Sequence, residues 1–332
     1  MLFDSFLVKN LKLDNRTVMA PMCMYESDEN GLVNDFHVIH YATRAIGGVG
    51  LIIQEATAID PDGRISVNDL GIWNDDHIDG LKMIVDTVHR YHCPIGIQIN
   101  HAGRKARVEH KIAPSAIAFN DEKDLPVAMT EDMIERMVYQ FREAAGRAHE
   151  AGYDLLELHA AHGYLLFQFL SPLSNKRDDQ YKDGVIVLKK VIKAVRDVWP
   201  QDKALAIRVS AYEYVEGGIT PEMIAKVLNE VKDLGIDLVD VSSGGNVIAN
   251  IKAYPGYQLE FAKTIKKMTG LPVIGGGMIE DLRQAEQAIK DKSCDLVFYG
   301  RLLLRNPYYV INHAKDLNVE INYPKPYKRG QK

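Results

Sequence analysis

Eight short apolar runs, at residues 17–22, 50–57, 94–101, 155–159, 204–210, 238–242, 271–275 and 296–300, alternate with amphipathic stretches along the chain. Each run is nearly continuous in Val, Ile, Leu and other apolar residues, the pattern of a parallel strand covered by helices; a strand with one wet face alternates instead. Between the runs, residues such as Met133, Met137, Val138, Phe141, Ala145 and Ala148 recur at the helical period and paint one face. Thr130, one turn before Met133, and Thr220, ahead of Pro221 and Glu222, are helix-start residues of the capping type. Nothing interrupts the series or marks a linker. The expected fold is therefore α/β, a closed (β/α)8 TIM barrel formed by residues 1–332 as one domain.

A barrel of this kind uses about 250 residues, so roughly 80 of the 332 are additions. They concentrate in two connections, residues 102–129 and 160–184, which are far longer than ordinary strand-to-helix links. Both follow strand ends, where barrel enzymes build their active sites. The charge balance, 40 Lys and Arg against 45 Asp and Glu, leaves a net charge of -5 and no basic surplus for neutralising nucleic-acid phosphates. No stretch has the apolar length of a membrane span, and residues 1–10 carry Asp4 and no cleavage-type sequence, so a cytoplasmic location is expected. Cys23, Cys93 and Cys294 are odd in number and far apart, which fits neither a disulfide framework nor a structural zinc or iron–sulfur site.

The strand ends carry the chemistry. The last two finish in Gly275-Gly276-Gly277 and Gly300-Arg301, where glycines either turn the chain or offer backbone N–H groups to a phosphate beside an arginine. No G-x-G-x-x-G or P-loop occurs, which leaves a Rossmann nicotinamide domain and an ATP site without support. The fourth run leads through Glu157, His159 and His162 to Tyr164. Two such imidazoles can donate hydrogen bonds to one ligand oxygen or, with Glu157, bind a metal. Tyr164 adds a phenolic proton or a rim aromatic. Gln98 and Arg208 interrupt apolar runs, so each needs a partner, either a polar ligand across the barrel mouth or an internal ion pair.

Taken together, Ala20-Pro21-Met22-Cys23-Met24-Tyr25, Gln98-Ile99-Asn100-His101-Ala102-Gly103-Arg104-Lys105, His159-Ala160-Ala161-His162-Gly163-Tyr164, Phe169-Leu170-Ser171-Pro172-Leu173-Ser174-Asn175 and Gly300-Arg301 resemble the old yellow enzyme family, in its bacterial ene-reductase branch with an active-site cysteine. The resemblance covers nearly the whole chain. It implies an FMN-dependent NADPH dehydrogenase type of oxidoreductase in which Ala20, Pro21, Met22, Cys23, Ala56, Gln98, Arg208, Gly276, Gly277, Gly300 and Arg301 hold FMN, with Cys23 tuning the ring. It further implies that NADPH or NADH reduces the flavin and leaves, and that an enone, quinone or nitro compound takes its place. His159 and His162 are then similar to the residues that bind the carbonyl oxygen, Tyr164 to the one that protonates the α-carbon, and Tyr25 to a residue bordering the substrate.

Two departures from the family pattern carry expectations. After Asp179-Gln180-Tyr181 the family continues with paired glycines and an Asn-Arg motif, whereas this chain has Lys182-Asp183-Gly184, so the loop at residues 176–185 is expected to be differently shaped. Within the tail, residues 318–332, the segment Pro326-Tyr327-Lys328-Arg329-Gly330 resembles one whose arginine reaches a neighbouring subunit's substrate, which implies a homodimer or homotetramer; Gln331 and Lys332 follow where an aromatic is common. The rival readings are a metal-dependent barrel hydrolase using Glu157, His159 and His162, and a non-catalytic flavin-binding protein. Relatives with an iron–sulfur cluster and a further domain do not fit the cysteine spacing or the length.

Overall fold

The computed structural model describes residues 1–120, 125–321 and 323–331. The chain begins with a hairpin, β1 (Phe6–Val8) and β2 (Leu11–Leu13), turned at Lys9. Then come β3 (Thr17–Met19), α1 (Asp35–Ile46), β4 (Leu51–Ala58), α2 (Ile78–His89) and β5 (Ile95–Asn100). The long connection that follows carries the two-residue strands β6 (Ile112–Ala113) and β7 (Val127–Ala128), paired with each other, before α3 (Glu131–Glu150). The remainder runs β8 (Leu155–Ala160), α4 (Leu165–Leu170), α5 (Gly184–Arg196), β9 (Ala204–Ser210), α6 (Pro221–Val231), β10 (Leu238–Ser242), α7 (Leu259–Thr269), β11 (Val273–Gly275), α8 (Leu282–Lys290), β12 (Leu296–Tyr299), α9 (Arg301–Arg305) and α10 (Tyr309–His313).

Strands β3, β4, β5, β8, β9, β10, β11 and β12 close into one parallel barrel, in which Val297 of β12 faces Thr17 of β3. All eight expected strands are present, and four are shorter than the sequence suggested. The first stops at Met19 because Pro21 has no N–H for the ladder, and the seventh starts at Val273, just after Pro272. Thr130 and Thr220 cap α3 and α6 as expected, each hydroxyl accepting the N–H three residues on. Among the described residues, no helix is long and apolar enough to cross a membrane.

Two apolar layers hold the barrel. One lies between strands and helices and includes Ile52, Ile97, Val138, Phe141 and Val191. The other fills the barrel interior with Val18, Leu51, Ile53, Leu155, Ala204, Ala206, Leu238, Ile274 and Leu296, and Val8, Leu11 and Leu13 of the hairpin join it. The strand period of two then fixes what comes next. On the inward face, Leu155 is followed by Glu157 and His159, Ala206 by Arg208 and Ser210, and Leu238 by Asp240 and Ser242. Apolar packing at one end of the barrel thus gives way to a polar layer toward the C-terminal mouth.

The loop at residues 176–185 is held from several sides. Arg177 pairs with Asp179 and donates to the carbonyl oxygens of Pro114 (2.9 Å) and Met129 (2.5 Å), while Asn175 Nδ2 donates to Phe169 O at 2.9 Å. Gly184 is required where α5 begins, since a Cβ there would stand 2.0 Å from Phe169 O.

Candidate active site

At the mouth of β8, His159, His162 and Tyr164 come together as the sequence suggested. The two imidazole rings are 5.1 Å apart at 85°, and the Tyr164 ring lies 4.9 Å from His159 and 6.4 Å from His162. His159 Nδ1 accepts the Ala161 N–H at 3.2 Å, so the neutral ring carries its proton on Nε2 and keeps a donor for another group. His162 takes a left-handed backbone (φ 56°), its N–H donates to Ser210 Oγ at 2.8 Å, and its Nε2 lies 2.7 Å from Ser242 Oγ. A histidine with this backbone is uncommon and is held by its surroundings.

Lys105 supplies much of that hold. Its ammonium donates to His162 O and Gly245 O, both at 2.8 Å, tying the loop after β8 to the loop after β10, and it lies over the Tyr164 ring at 5.1 Å. Burial first drives both histidines well below the usual imidazole range; His162 then acts on His159, and the charges of Arg208 and Lys105 act on both. Burial likewise raises the Tyr164 phenol above its ordinary value. The site therefore presents two neutral imidazoles and a protonated phenol across the physiological range.

Below these groups lies the polar layer of the barrel. Gln98 Nε2 donates to Glu157 Oε1 at 2.7 Å, and Arg208 Nε stands 3.1 Å from Asp240 Oδ2. Arg208 thus has the internal ion pair that was one of its two alternatives, yet the contact lacks hydrogen-bond alignment. Among the described residues, Arg208 Nε, both Asp240 oxygens and Glu157 Oε2 make no hydrogen bond. Glu157 is engaged with Gln98, and no cluster of three or more His, Cys, Asp or Glu side chains among the described residues is arranged for a metal. The hydrolase alternative therefore has no geometric support.

The segment leaving β3 carries Ala20, Pro21, Met22, Cys23 and Tyr25. Glu55 of β4 anchors it, because Oε2 accepts the Met24 N–H at 2.7 Å while Tyr41 donates to Oε1 at 3.0 Å. Burial lifts Glu55 to about 7. Burial and then the nearby carboxyls of Asp69 and Glu55 raise the Cys23 thiol well above its usual range, so Cys23 is a thiol and not a thiolate. Tyr25, left-handed at φ 57° and half exposed, is pushed up to about 12 by burial first and then by Cys23 and Asp69. Ala56 is buried in β4 next to Glu55.

At the far side, Arg208, Ser242, Gly277, Gly300 and Arg301 help line a cleft of about 200 Å³. A Cβ on Gly276 would meet Phe298 at 3.0 Å, and one on Gly277 would meet Tyr257 at 2.8 Å from a backbone with φ +94°. Gly277→Ala is expected to destabilise this turn by roughly 1–3 kcal/mol. It should also weaken ligand retention in the cleft, read as a lower melting temperature and faster loss of bound ligand on dilution; unchanged retention would show that the turn is only structural.

Arg329 does not join the other candidates within the chain. It lies in the exposed turn Lys325–Gly330, and the tail residues Tyr327 and Gly330 line a cavity with Ile46, Tyr308 and Ile311, at α1 and α10. Asn322 and Lys332 of the tail lie outside the described residues. Sequence reasoning assigned no role to Lys105, Glu55, Asp69, Asp240 or Gln258, whose Nε2 donates to Ser243 Oγ at 2.8 Å. Asp240 and Glu55 left a signal in principle, a carboxylate inside an apolar strand. Lys105 left none, because its acceptors are backbone carbonyls.

The model of the NADH:flavin oxidoreductase / NADH oxidase family matches residues 1–320. The chain is 49% identical over 336 residues to an NADPH dehydrogenase of Clostridium acetobutylicum, with 99% of each chain covered. Among solved structures it superposes on morphinone reductase in complex with tetrahydroNAD with a TM-score of 0.82 and 27% identity, covering 98% of this chain and 93% of that one. An old yellow enzyme homologue from Zymomonas mobilis shares the fold, with a TM-score of 0.83, 24% identity and coverage of 98% and 95%.

Proposed function

Because the chain belongs to the NADH:flavin oxidoreductase / NADH oxidase family and is an FMN-dependent oxidoreductase, we propose that it reduces the C=C bond of α,β-unsaturated carbonyl compounds with electrons from NADPH or NADH. The residues present fit FMN. Arg208 Nε lacks an aligned partner inside the barrel mouth, and the cleft beyond it is bordered by glycines that leave no room for a Cβ. Gln98 and Arg208 would hold the pyrimidine portion, Ala20, Pro21, Met22, Cys23 and Ala56 the ring, and Gly276, Gly277, Gly300 and Arg301 the phosphate. The chemistry FMN supplies when bound is two-electron hydride exchange, taken from a nicotinamide and passed to a second compound at one site.

The observation that carries the proposal is the meeting of His159, His162 and Tyr164. The Nε2–H of His159, with His162 beside it, donates to a carbonyl oxygen and draws electron density from the conjugated alkene. Tyr164 holds the proton that the α-carbon needs, and its raised pKa keeps that proton in place until a carbanion-like centre develops. Arg208 places a fixed positive charge where electron density accumulates. Lys105, by fixing the backbone of His162 and Gly245, keeps the donors aimed.

Anaerobic mixing with NADPH or NADH should bleach a yellow protein, and cyclohexenone should then restore the colour with loss of the C=C bond. Quinones and nitro compounds belong to the same class of acceptor. Bleaching without enone-dependent reoxidation would overturn ene reduction, and a colourless protein with stoichiometric zinc would overturn the flavin reading. The same reading makes residues 1–332 one FMN-binding unit acting in the cytoplasm as a homodimer or homotetramer, with Arg329 at a neighbouring subunit's substrate. Arg329→Ala should then raise KM several-fold with little change in flavin reduction, and truncation after Pro326 without kinetic effect would exclude the crossing.

A further inference from the structure

Glu157 and Asp240 are buried carboxyls that the proposed chemistry does not use, and with Arg208 they form one charge group. They sit on β8, β9 and β10, with Arg208 in register with Asp240. Glu157 and Asp240 are 0% and 1% exposed, and Arg208 is 6% exposed. Two carboxyls therefore face one guanidinium. With both ionised the group carries a net charge of about −1 in a low-dielectric interior, which is strongly disfavoured when three carboxyl oxygens, Glu157 Oε2 and both of Asp240, accept no hydrogen bond. Gln98 from β5 contributes only a neutral amide to Glu157 Oε1. The charged groups facing Glu157 are Asp240 and Arg208, while Arg208 and Lys105 both act on His159 and His162.

We propose that the Glu157–Asp240 pair holds one exchangeable proton directly beneath the flavin cleft, and that this proton sets how much of the Arg208 charge is available to electron density above it. The proposal rests on the FMN reading. Burial, then the repulsion from Asp240, places Glu157 at about 8, within reach of ordinary buffers, and burial also raises Asp240. Hydride arriving from the nicotinamide brings one negative charge to the cleft. An ionised pair answers by taking one proton from solvent, so that two electrons enter with two protons in all, one delivered within the hydride and one bound by the pair. A pair already protonated takes none. Glu157 is thus a positioning residue, acting through Gln98 and Arg208.

The test is the midpoint potential of FMN bound to the full-length protein, measured by dye equilibration from pH 6 to 10. For a two-electron couple the slope against pH counts protons per two electrons. The expected wild-type plot has the one-proton slope near pH 7 and steepens toward twice that slope above about pH 8. Glu157→Gln keeps the side-chain volume and an oxygen for Gln98 and cannot ionise, so its plot should stay at the one-proton slope throughout. Asp240→Asn, with its carboxyl partner relieved, should lose the steepening as well. A wild-type plot with a single one-proton slope overturns the inference even if neither variant folds, and so does steepening retained in Glu157→Gln. A protein that binds no FMN overturns both this inference and the function it rests on, whereas FMN binding with a straight plot overturns the inference alone.

Discussion

Replacing Tyr164 by phenylalanine should slow alkene reduction by about 10²–10⁴-fold while leaving reduction of the flavin by nicotinamide within a few-fold of wild type. The substitution removes one hydroxyl and keeps the ring that packs 4.9 Å from His159 and under Lys105, so the pocket keeps its shape. Only the step that needs a proton at carbon should suffer, and stopped-flow measurement of the two half reactions separates them. Equal loss in both would show that Tyr164 shapes the cleft and does not donate. The pH profile gives an independent check. Tyr164 is raised, so it remains protonated at and above the ordinary tyrosine pKa of about 10. His159 and His162 are lowered, so they remain neutral as pH falls through the ordinary value of about 6.5. Neither group changes charge between those limits, so any bend in the oxidative half reaction across them should come from Glu157 or Lys105, both placed at about 8, and not from Tyr164, His159 or His162.

Arg208→Met should be the most damaging single change to stability and to FMN retention. The guanidinium is the only counter-charge that the geometry gives Asp240 among the described residues, and removing one member of a buried pair leaves the other without compensation. Such changes cost about 3–5 kcal/mol. The melting temperature should fall by several degrees, and the protein should purify largely without flavin. Combining Arg208→Met with Asp240→Asn should recover part of the stability, because the orphaned charge is gone, but not the flavin, because the cation is still missing. A single variant that binds FMN normally would show that Arg208 serves the barrel alone.

The barrel was readable because its strands are buried on both sides, so each leaves an apolar run bounded by turn residues. The hairpin β1–β2 was not, since Phe6–Val8 and Leu11–Leu13 are too short to establish a period. Period-two alternation was hidden for a related reason. At most two inward positions per strand are polar, so Glu157, Arg208 and Asp240 read as isolated exceptions until the register aligned them. Of the site, the His159–His162–Tyr164 cluster was legible because it is local in sequence. The Glu55 support of Met24 and the Lys105 tie between two loops were not, because they join residues 31 and up to 140 positions apart.

The pairing of β12 with β3 has a consequence for how the protein is made. The first and last barrel strands are neighbours in space and separated by nearly the entire chain, so the cylinder cannot shut until residues 296–299 have left the ribosome. The groups proposed to hold the cofactor span the same seam: residues 20–23 follow the first barrel strand, and Gly300 and Arg301 follow the last. Flavin capture would then come only after residue 301 has emerged, and the yellow colour of a preparation would report the fraction of chains in which the first and last barrel strands have met.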